Sequence, residues 1–401
     1  MNRIQADEKL ISRLQSLQKS SLILGVLGFL ALAAGYVMGV DDFFPSYLIG
    51  WVFWVQVALG ALVILMIQNT VGGRWGLVIQ RVVEAATMTL PLLAALFLIV
   101  IVGIPHLYEW SHAEAVAHDE LLQHKAPYLN VPFFIVRSVI YFVLWIGIAW
   151  LLRKWSVQLD ENPHDEATRK KLRNLSAPGI LIFGITVTFA SVDWMMSIEP
   201  HWYSTIYGMM FGVGALASGF AFSIVILMGM IQYKPWSGVI QTIDISDLGN
   251  WLLASIMLWA YIAFSQFLII WSANLPEETT WYLARTENGW QWVAIINVFL
   301  HFFLPFFFLL VRGTKRAPGR LKKIAYLVLV MRFVDLLWLI YPAYTKGAFI
   351  FPWMSLASML GIGGLFMAIF FRHLAKVSVP PLYDSRLPVT TVSEEAHGHV
   401  N

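Results

Sequence analysis

The chain is dominated by long apolar segments that alternate with short polar connections. Residues 21–40, for example, read SLILGVLGFLALAAGYVMGV and carry no charge, and about 20 apolar residues suffice to cross a bilayer as a helix. Ten segments meet this length, and all are expected to be helical because a backbone in hydrocarbon must satisfy its own hydrogen bonds. The predicted spans are residues 21–40, 46–68, 77–104, 131–152, 177–198, 205–232, 248–272, 290–311, 322–343 and 352–373.

The composition agrees with a chain that lies mostly in lipid. Of the 401 residues, 58% are hydrophobic and only 13% are charged, whereas a soluble domain carries about 25% charged residues. The sequence therefore predicts a multi-pass, all-α integral membrane protein. Its expected organisation is a cytoplasmic N-terminal segment (1–20), a ten-helix membrane domain (21–373) and a cytoplasmic, disordered tail (374–401).

The distribution of lysine and arginine predicts the orientation of the spans. Of the 27 basic residues, 21 fall on the side that holds both termini, three on the other side and three within spans. Because basic loops stay in the cytoplasm, both termini are expected to be cytoplasmic. The two most basic connections, between spans 4 and 5 and between spans 8 and 9, are expected to meet lipid headgroups and not nucleic acid.

Three prolines carry information about helix geometry. Pro91 and Pro305 lie inside predicted spans, where a missing N–H interrupts the helical hydrogen bonds, so a kink is expected at each. Pro178 is expected at the start of the fifth span, because a proline in the first turn of a helix costs no hydrogen bond.

The sequence contains no cysteine, which excludes disulfides, thiolate-held iron–sulfur clusters and covalently attached c-type haem. Only one histidine, His301, lies deep in a span, so a haem held by two facing imidazoles is not expected. Four histidines lie in the connection 106–130. The spacing of His112 and His118 is poor for two metal ligands on one helix face, and docking of another subunit is the preferred interpretation of this connection.

Ionisable side chains at membrane depth are the main candidates for function, because each costs about 2.5–3.5 kcal/mol at a helix centre. Asp335 lies 12 residues past Lys323, roughly 18 Å along a helix, close to the middle of a bilayer. One interpretation is structural: an arginine and a carboxylate three residues apart on one helix neutralise each other as an ion pair. The other is a proton relay of carboxylates and imidazole. The candidates within spans are Glu84 with Arg81, Arg137, Asp193, His301, Arg332 and Asp335.

The stretch 193–204, DWMMSIEPHWYS, places more polar groups at the outer end of the fifth span. Its tryptophans suit the aromatic belt of a membrane interface, but that role does not explain Asp193, which is still inside the helix. Asp193, Glu199 and His201 are candidates for an outer half-channel, and Glu84 is a candidate for an inner one.

Three stretches carry a resemblance to a known family: ASVDWMMSIEPHWYSTIYG, FSQFLIIWSANLPEETTWYLART and RFVDLLWLIYP. They resemble the smaller of the two NrfD-like membrane subunits, the ActF type, of bacterial alternative complex III, a quinol:electron-acceptor oxidoreductase. The resemblance covers nearly the whole chain. It implies two four-helix bundles, spans 2–5 and 6–9, flanked by spans 1 and 10.

The resemblance also implies partners and a role. The expected partners are the larger NrfD-like quinol-binding subunit, multihaem cytochrome c subunits that hold haem c, an iron–sulfur subunit, small membrane subunits and lipids. This subunit is expected to bind no redox cofactor of its own and to contribute a proton pathway, and a quinone or quinol remains compatible with it. Two alternatives stay open: a structural scaffold that docks the other subunits, and an independent secondary transporter.

Overall fold

In the part of the chain that the structure describes, the regular secondary structure is helical, and ten helices there are long and apolar enough to cross a membrane. The computed structural model describes residues 8–38, 42–234, 236–345, 349–377, 381 and 387, and no strand occurs among them. The predicted disordered tail lies mostly outside these ranges. Each predicted span falls on one helix. These are α1 (Glu8–Val37), α2 (Phe43–Val71), α3 (Gln80–Val102), α4 (Val131–Glu161), α5 (Glu166–Ile198), α6 (Tyr207–Met230), α7 (Thr242–Ala273), α8 (Trp290–Leu310), α9 (Pro318–Ala343) and α10 (Trp353–Leu374).

Several helices extend beyond the predicted spans, because hydropathy marks where a helix meets hydrocarbon and not where its hydrogen bonds end. α1 begins at Glu8 and α5 at Glu166, both more than two turns before the predicted spans. Asp165 starts α5, since its carboxylate accepts hydrogen bonds from the backbone N–H and the hydroxyl of Thr168. The hydroxyl of Thr168, followed by its N–H, lowers the pKa of Asp165 below the ordinary value.

The prolines fall where the hydrogen bonding of the helices changes, with one exception. Pro91 follows a turn that interrupts α3, and Pro305 follows a π-helical segment in α8. The expected helix start at Pro178 is wrong: this proline lies inside α5. The carbonyl that it leaves without a helical partner belongs to Asn174, which is exposed, so water or lipid headgroups can satisfy it.

α2 is the most buried span and lies at the centre of the helix packing. It contacts α3, α5, α6, α9 and α10, while α1 packs along α10. α2 and α6 approach closely at Gly60, where an added Cβ atom would lie 1.9 Å from the carbonyl oxygen of Ala215. Only a glycine allows this contact. Most of the remaining contacts fall in two helix groups: α3, α4 and α5 in one, and α6, α7, α8 and α9 in the other. The two groups also meet where α5 packs against α6.

The connection between α3 and α4 lies against the turn that ends α5. The hydroxyl of Tyr108 donates to the carbonyl of Trp194 at 3.0 Å, and the indole of Trp110 donates to the carbonyl of Ser197 at 3.1 Å. Burial raises the pKa of the Tyr108 hydroxyl, and the negative charge of Asp193 adds to this effect. The connection is therefore an integral part of the fold, and it positions the residues around the end of α5.

Candidate functional site

The three buried carboxylates among the predicted residues each have an arginine partner. Asp193, at the end of α5, receives two hydrogen bonds from Arg137 of α4, at 2.9 Å from Nε and 2.8 Å from Nη2. The hydroxyl of Tyr141 donates to the same carboxylate at 2.9 Å. The guanidinium carbon of Arg137 also lies 3.8 and 4.2 Å from the ring centroids of Tyr128 and Phe133, whose planes are nearly perpendicular to each other. This bidentate geometry fixes the side chains of α4 and α5 relative to each other.

Glu84 belongs to a larger polar cluster between α3 and α4. Arg81 donates to Glu84 at 2.7 Å and to Asp160 at 2.5 Å, so one guanidinium serves two carboxylates. The amide of Gln80 donates to Glu84 and to the hydroxyl of Ser156, each at 2.9 Å. Arg81 and Glu84 are fully buried, whereas the side chain of Asp160 is 18% exposed. The cluster therefore connects a buried carboxylate to the surface at one end of the spans.

Arg332 and Asp335 lie one turn apart on α9 and pair at 2.7 Å. The second Nη of Arg332 donates to the side-chain carbonyl of Gln56, 2.9 Å away on the central helix α2. A Cβ atom on Gly214 of α6 would lie 2.2 Å from Arg332 Nη2, so the guanidinium packs directly against the α6 backbone. The pair therefore lies where α2, α6 and α9 meet.

A small cavity of about 10 Å³ adjoins this pair, about the volume that one water molecule needs. Tyr207 of α6 and Leu339 of α9 line it, together with Gln56, Arg332 and Asp335. Met195, Met210 and Phe211 complete the lining.

His301 lies in the π-helical segment Asn297–Phe303 of α8. It is fully buried, and its ring centroid is 3.9 Å from that of Trp259. Among the described residues, neither ring nitrogen has a hydrogen-bond partner, and the same holds for the side-chain amide of the buried Asn297. Arg332 is within electrostatic range of His301. Unpaired buried polar groups in a π-helical segment are typical of sites that serve a function.

Glu199 pairs with Arg285, a residue that the sequence placed in a connection on the outer side. Arg285 is buried: its guanidinium donates to Glu199 and, at 2.8 Å, to the carbonyl of Leu339. It stacks on the ring of Trp281, with 3.8 Å between the guanidinium carbon and the ring centroid. Trp281 and Arg285 are four residues apart in the helix Pro276–Thr286, and this i,i+4 spacing could have predicted the contact between this tryptophan and this arginine.

His201 is the one predicted site residue that is exposed, with 54% of its side chain accessible. Its Nε2 lies 2.6 Å from Asp119 Oδ2. Asp119 also accepts hydrogen bonds from the N–H groups of Leu121 and Leu122 and so starts the short helix Glu120–Lys125. His201 thus belongs to the contact between the α3–α4 connection and the turn after α5, and not to the buried groups.

Tyr207 connects two of the sites that the sequence listed separately. It lines the cavity beside Asp335, and it interacts electrostatically with Arg285, Glu199 and Asp335. Leu339 lines the same cavity, and its carbonyl binds Arg285. The structure therefore brings Arg332, Asp335, Glu199 and Arg285 into one continuous region. Glu84 and Asp193 lie in the other helix group, around α3, α4 and α5.

A comparison of the chain with protein-family models gives no match, and a search among curated proteins gives none. Buried carboxylates, an unpaired imidazole and a tyrosine along neighbouring helices are groups that exchange protons, and arginines beside them stabilise negative charge.

Proposed function

We propose that this chain is a membrane subunit of a quinol-oxidising complex of the alternative complex III type, and that it contributes a proton pathway while its partners hold the redox centres. The observation that carries this proposal is the continuous region from Asp335, beside a cavity at the junction of α2, α6 and α9, to Glu199 at 28% exposure. In a purely structural pair, nothing requires the carboxylate to adjoin a cavity whose lining residue Leu339 also binds, through its carbonyl, the arginine partner of a second, partly exposed carboxylate.

In this proposal Asp335 and Glu199 are the proton-carrying groups, and Tyr207 bridges them. Arg332 and Arg285 keep these carboxylates available by stabilising their charged forms. His301 exchanges protons in the same helix group. Glu84 carries protons at the opposite, inner end of the spans. Asp193, together with Arg137 and His201, forms the outer end of the pathway near the α3–α4 connection.

The wider assembly is proposed from the sequence resemblance. The two-bundle arrangement, α2–α5 and α6–α9 with α1 and α10 beside them, is supported by the helix contacts. The partners in this proposal are the larger NrfD-like quinol-binding subunit, multihaem cytochrome c subunits and an iron–sulfur subunit. The location is the bacterial cytoplasmic membrane, with both termini in the cytoplasm.

The pathway is tested in the purified whole complex, reconstituted in sealed vesicles, by measuring proton movement per quinol oxidised. We expect Asp335→Asn to reduce vectorial proton movement on the order of a hundredfold, the range of a lost proton-transfer group, while cytochrome reduction persists. Tyr207→Phe, which removes only a hydroxyl, should slow proton movement in the same way. Glu114→Gln, at an exposed carboxylate of the α3–α4 connection, is the matched control and should leave proton movement unchanged.

A scaffold role is the second candidate, and a specific observation favours it: Glu84, Asp193 and Asp335 each have an arginine partner. Replacing both Arg332 and Asp335 with apolar side chains of similar volume separates the two functions. A structural pair tolerates this double change, since well-packed apolar residues often replace a buried ion pair without loss of stability. If the complex with the double variant assembles and moves protons as the wild type does, the pathway proposal is wrong and the scaffold role stands.

A further inference from the structure

The two most basic connections of the chain have the same number of positive charges but differ in net charge. Residues 153–173, at the α4–α5 connection, hold six basic and four acidic residues. Residues 312–323, RGTKRAPGRLKK, also hold six basic residues, and no aspartate or glutamate occurs from 288 to 334. The rule that basic loops stay in the cytoplasm counts only lysine and arginine. It therefore does not account for the missing acidic residues between α8 and α9.

The α8–α9 connection is folded and attached to α7. Residues Arg312–Arg316 form a helical turn. Thr314 is buried, and Lys315 packs over Gly249 and donates to Asn250 at 2.6 Å. This attachment holds the backbone in place, so the remaining basic side chains project from a fixed surface.

Four of these basic side chains are exposed: Arg312, Arg316, Arg320 and Lys323. On the helix that the connection packs against, Asp244 is bound by Arg74, and Asp247 lies one turn before Asn250. The six lysines and arginines of residues 312–323 outnumber the two aspartates at this end of α7. The surface therefore stays strongly positive after its neighbours are included.

Exposed apolar side chains continue directly from this basic surface along α8 and α9. Phe307 and Val311 are 59% and 56% exposed at the end of α8. Tyr326 and Val330 are 50% and 52% exposed in the first half of α9, and the Lys322 ammonium lies 5.9 Å from the centroid of the Tyr326 ring. A surface that is cationic at one end and apolar along the rest matches a phospholipid, whose phosphate lies at the end of its acyl chains.

We propose that the α8–α9 connection, with Arg312, Arg316 and Arg320 around the headgroup, is a binding site for an anionic phospholipid. Basic clusters next to a membrane helix attract anionic headgroups, and the arginine fork binds phosphate oxygens in pairs. The inference does not depend on the proposed proton pathway, because it uses none of the buried groups.

The test is native mass spectrometry of the purified full-length chain, titrated with phosphatidylglycerol or with the zwitterionic phosphatidylcholine. We expect preferential binding of phosphatidylglycerol. The variant Arg312→Gln/Arg316→Gln/Arg320→Gln should bind it on the order of a hundredfold more weakly, at roughly fivefold for each charge removed. The matched control Lys170→Gln/Lys171→Gln/Arg173→Gln removes three exposed charges from the α4–α5 connection and should bind as the wild type does.

A triple arginine-to-lysine variant at the same positions checks that the site is intact, because it keeps the charge and should retain most of the preference. Equal binding of the two lipids by the wild type would overturn the proposal. So would equal weakening in the control variant, which would indicate a diffuse attraction to positive charge. Displacement of phosphatidylglycerol by millimolar inorganic phosphate would also overturn it, since the acyl chains would then contribute nothing.

Discussion

At the level of single residues, the buried carboxylates of the spans depend on their arginines for stability. The Arg137–Asp193 pair has no exposure on the aspartate side and only 8% on the arginine side. Breaking such a pair leaves an uncompensated charge in a low-dielectric environment, which costs more than the pair contributes when intact. The same argument applies to Arg332, whose guanidinium packs against the backbone of α6.

We therefore expect Asp193→Ala to lower the free energy of unfolding by about 3–5 kcal/mol, because Arg137 stays buried without its partner. The double variant Arg137→Met/Asp193→Leu should recover most of this loss. Chemical unfolding of the purified protein in detergent measures both. Tyr141→Phe removes one hydrogen bond to the same carboxylate and serves as the control, with a loss of about 1 kcal/mol. A double variant as unstable as Asp193→Ala would mean that the charges themselves are required.

At the level of elements, the short helix Glu120–Lys125 is held by a titratable residue. The N–H of Leu122 contributes most to lowering the pKa of Asp119 below its ordinary value of 3.8, and the hydrogen bond to His201 adds to this. A carboxylate with a lowered pKa stabilises the folded state above its ordinary pKa, and this contribution is lost as the pH falls through the lowered value. The helix start is therefore expected to persist at neutral pH and to weaken below pH 3.8.

Hydrogen–deuterium exchange of the peptide that contains Leu121 and Leu122 checks this, after correction for the intrinsic effect of pH. Protection should be constant above about pH 4 and should fall in more acidic solution. The Asp119→Asn variant keeps a side-chain oxygen that accepts the same hydrogen bonds, but it has no charge to lose. Its protection should not change over this range, and a parallel fall in both proteins would assign the effect to another group.

At the level of the whole molecule, the sequence predicts the helices better than their contacts. Hydropathy locates all ten spans because the membrane imposes one length and one polarity on each. The sequence also predicts the ion pairs Arg81–Glu84 and Arg332–Asp335, because i,i+3 spacing places both members on one face of a helix. Arg137 and Asp193 are 56 residues apart, and Arg285 and Glu199 are 86 apart. Those pairs arise only when the helices pack, so local spacing carries no signal for them.

The orientation of the spans in the membrane is predicted from the distribution of the basic residues. With 21 of 27 lysines and arginines on one side, we expect the connection between α8 and α9 to be cytoplasmic and the helix Pro276–Thr286 to be outside. Alkaline phosphatase folds only outside the cytoplasm, so it should be active when fused after Thr286 and inactive when fused after Ala317. A fusion after Asn162 is the control and should behave as the one after Ala317. The reverse pattern would mean that a force other than the positive charges, such as assembly with partner subunits, sets the orientation.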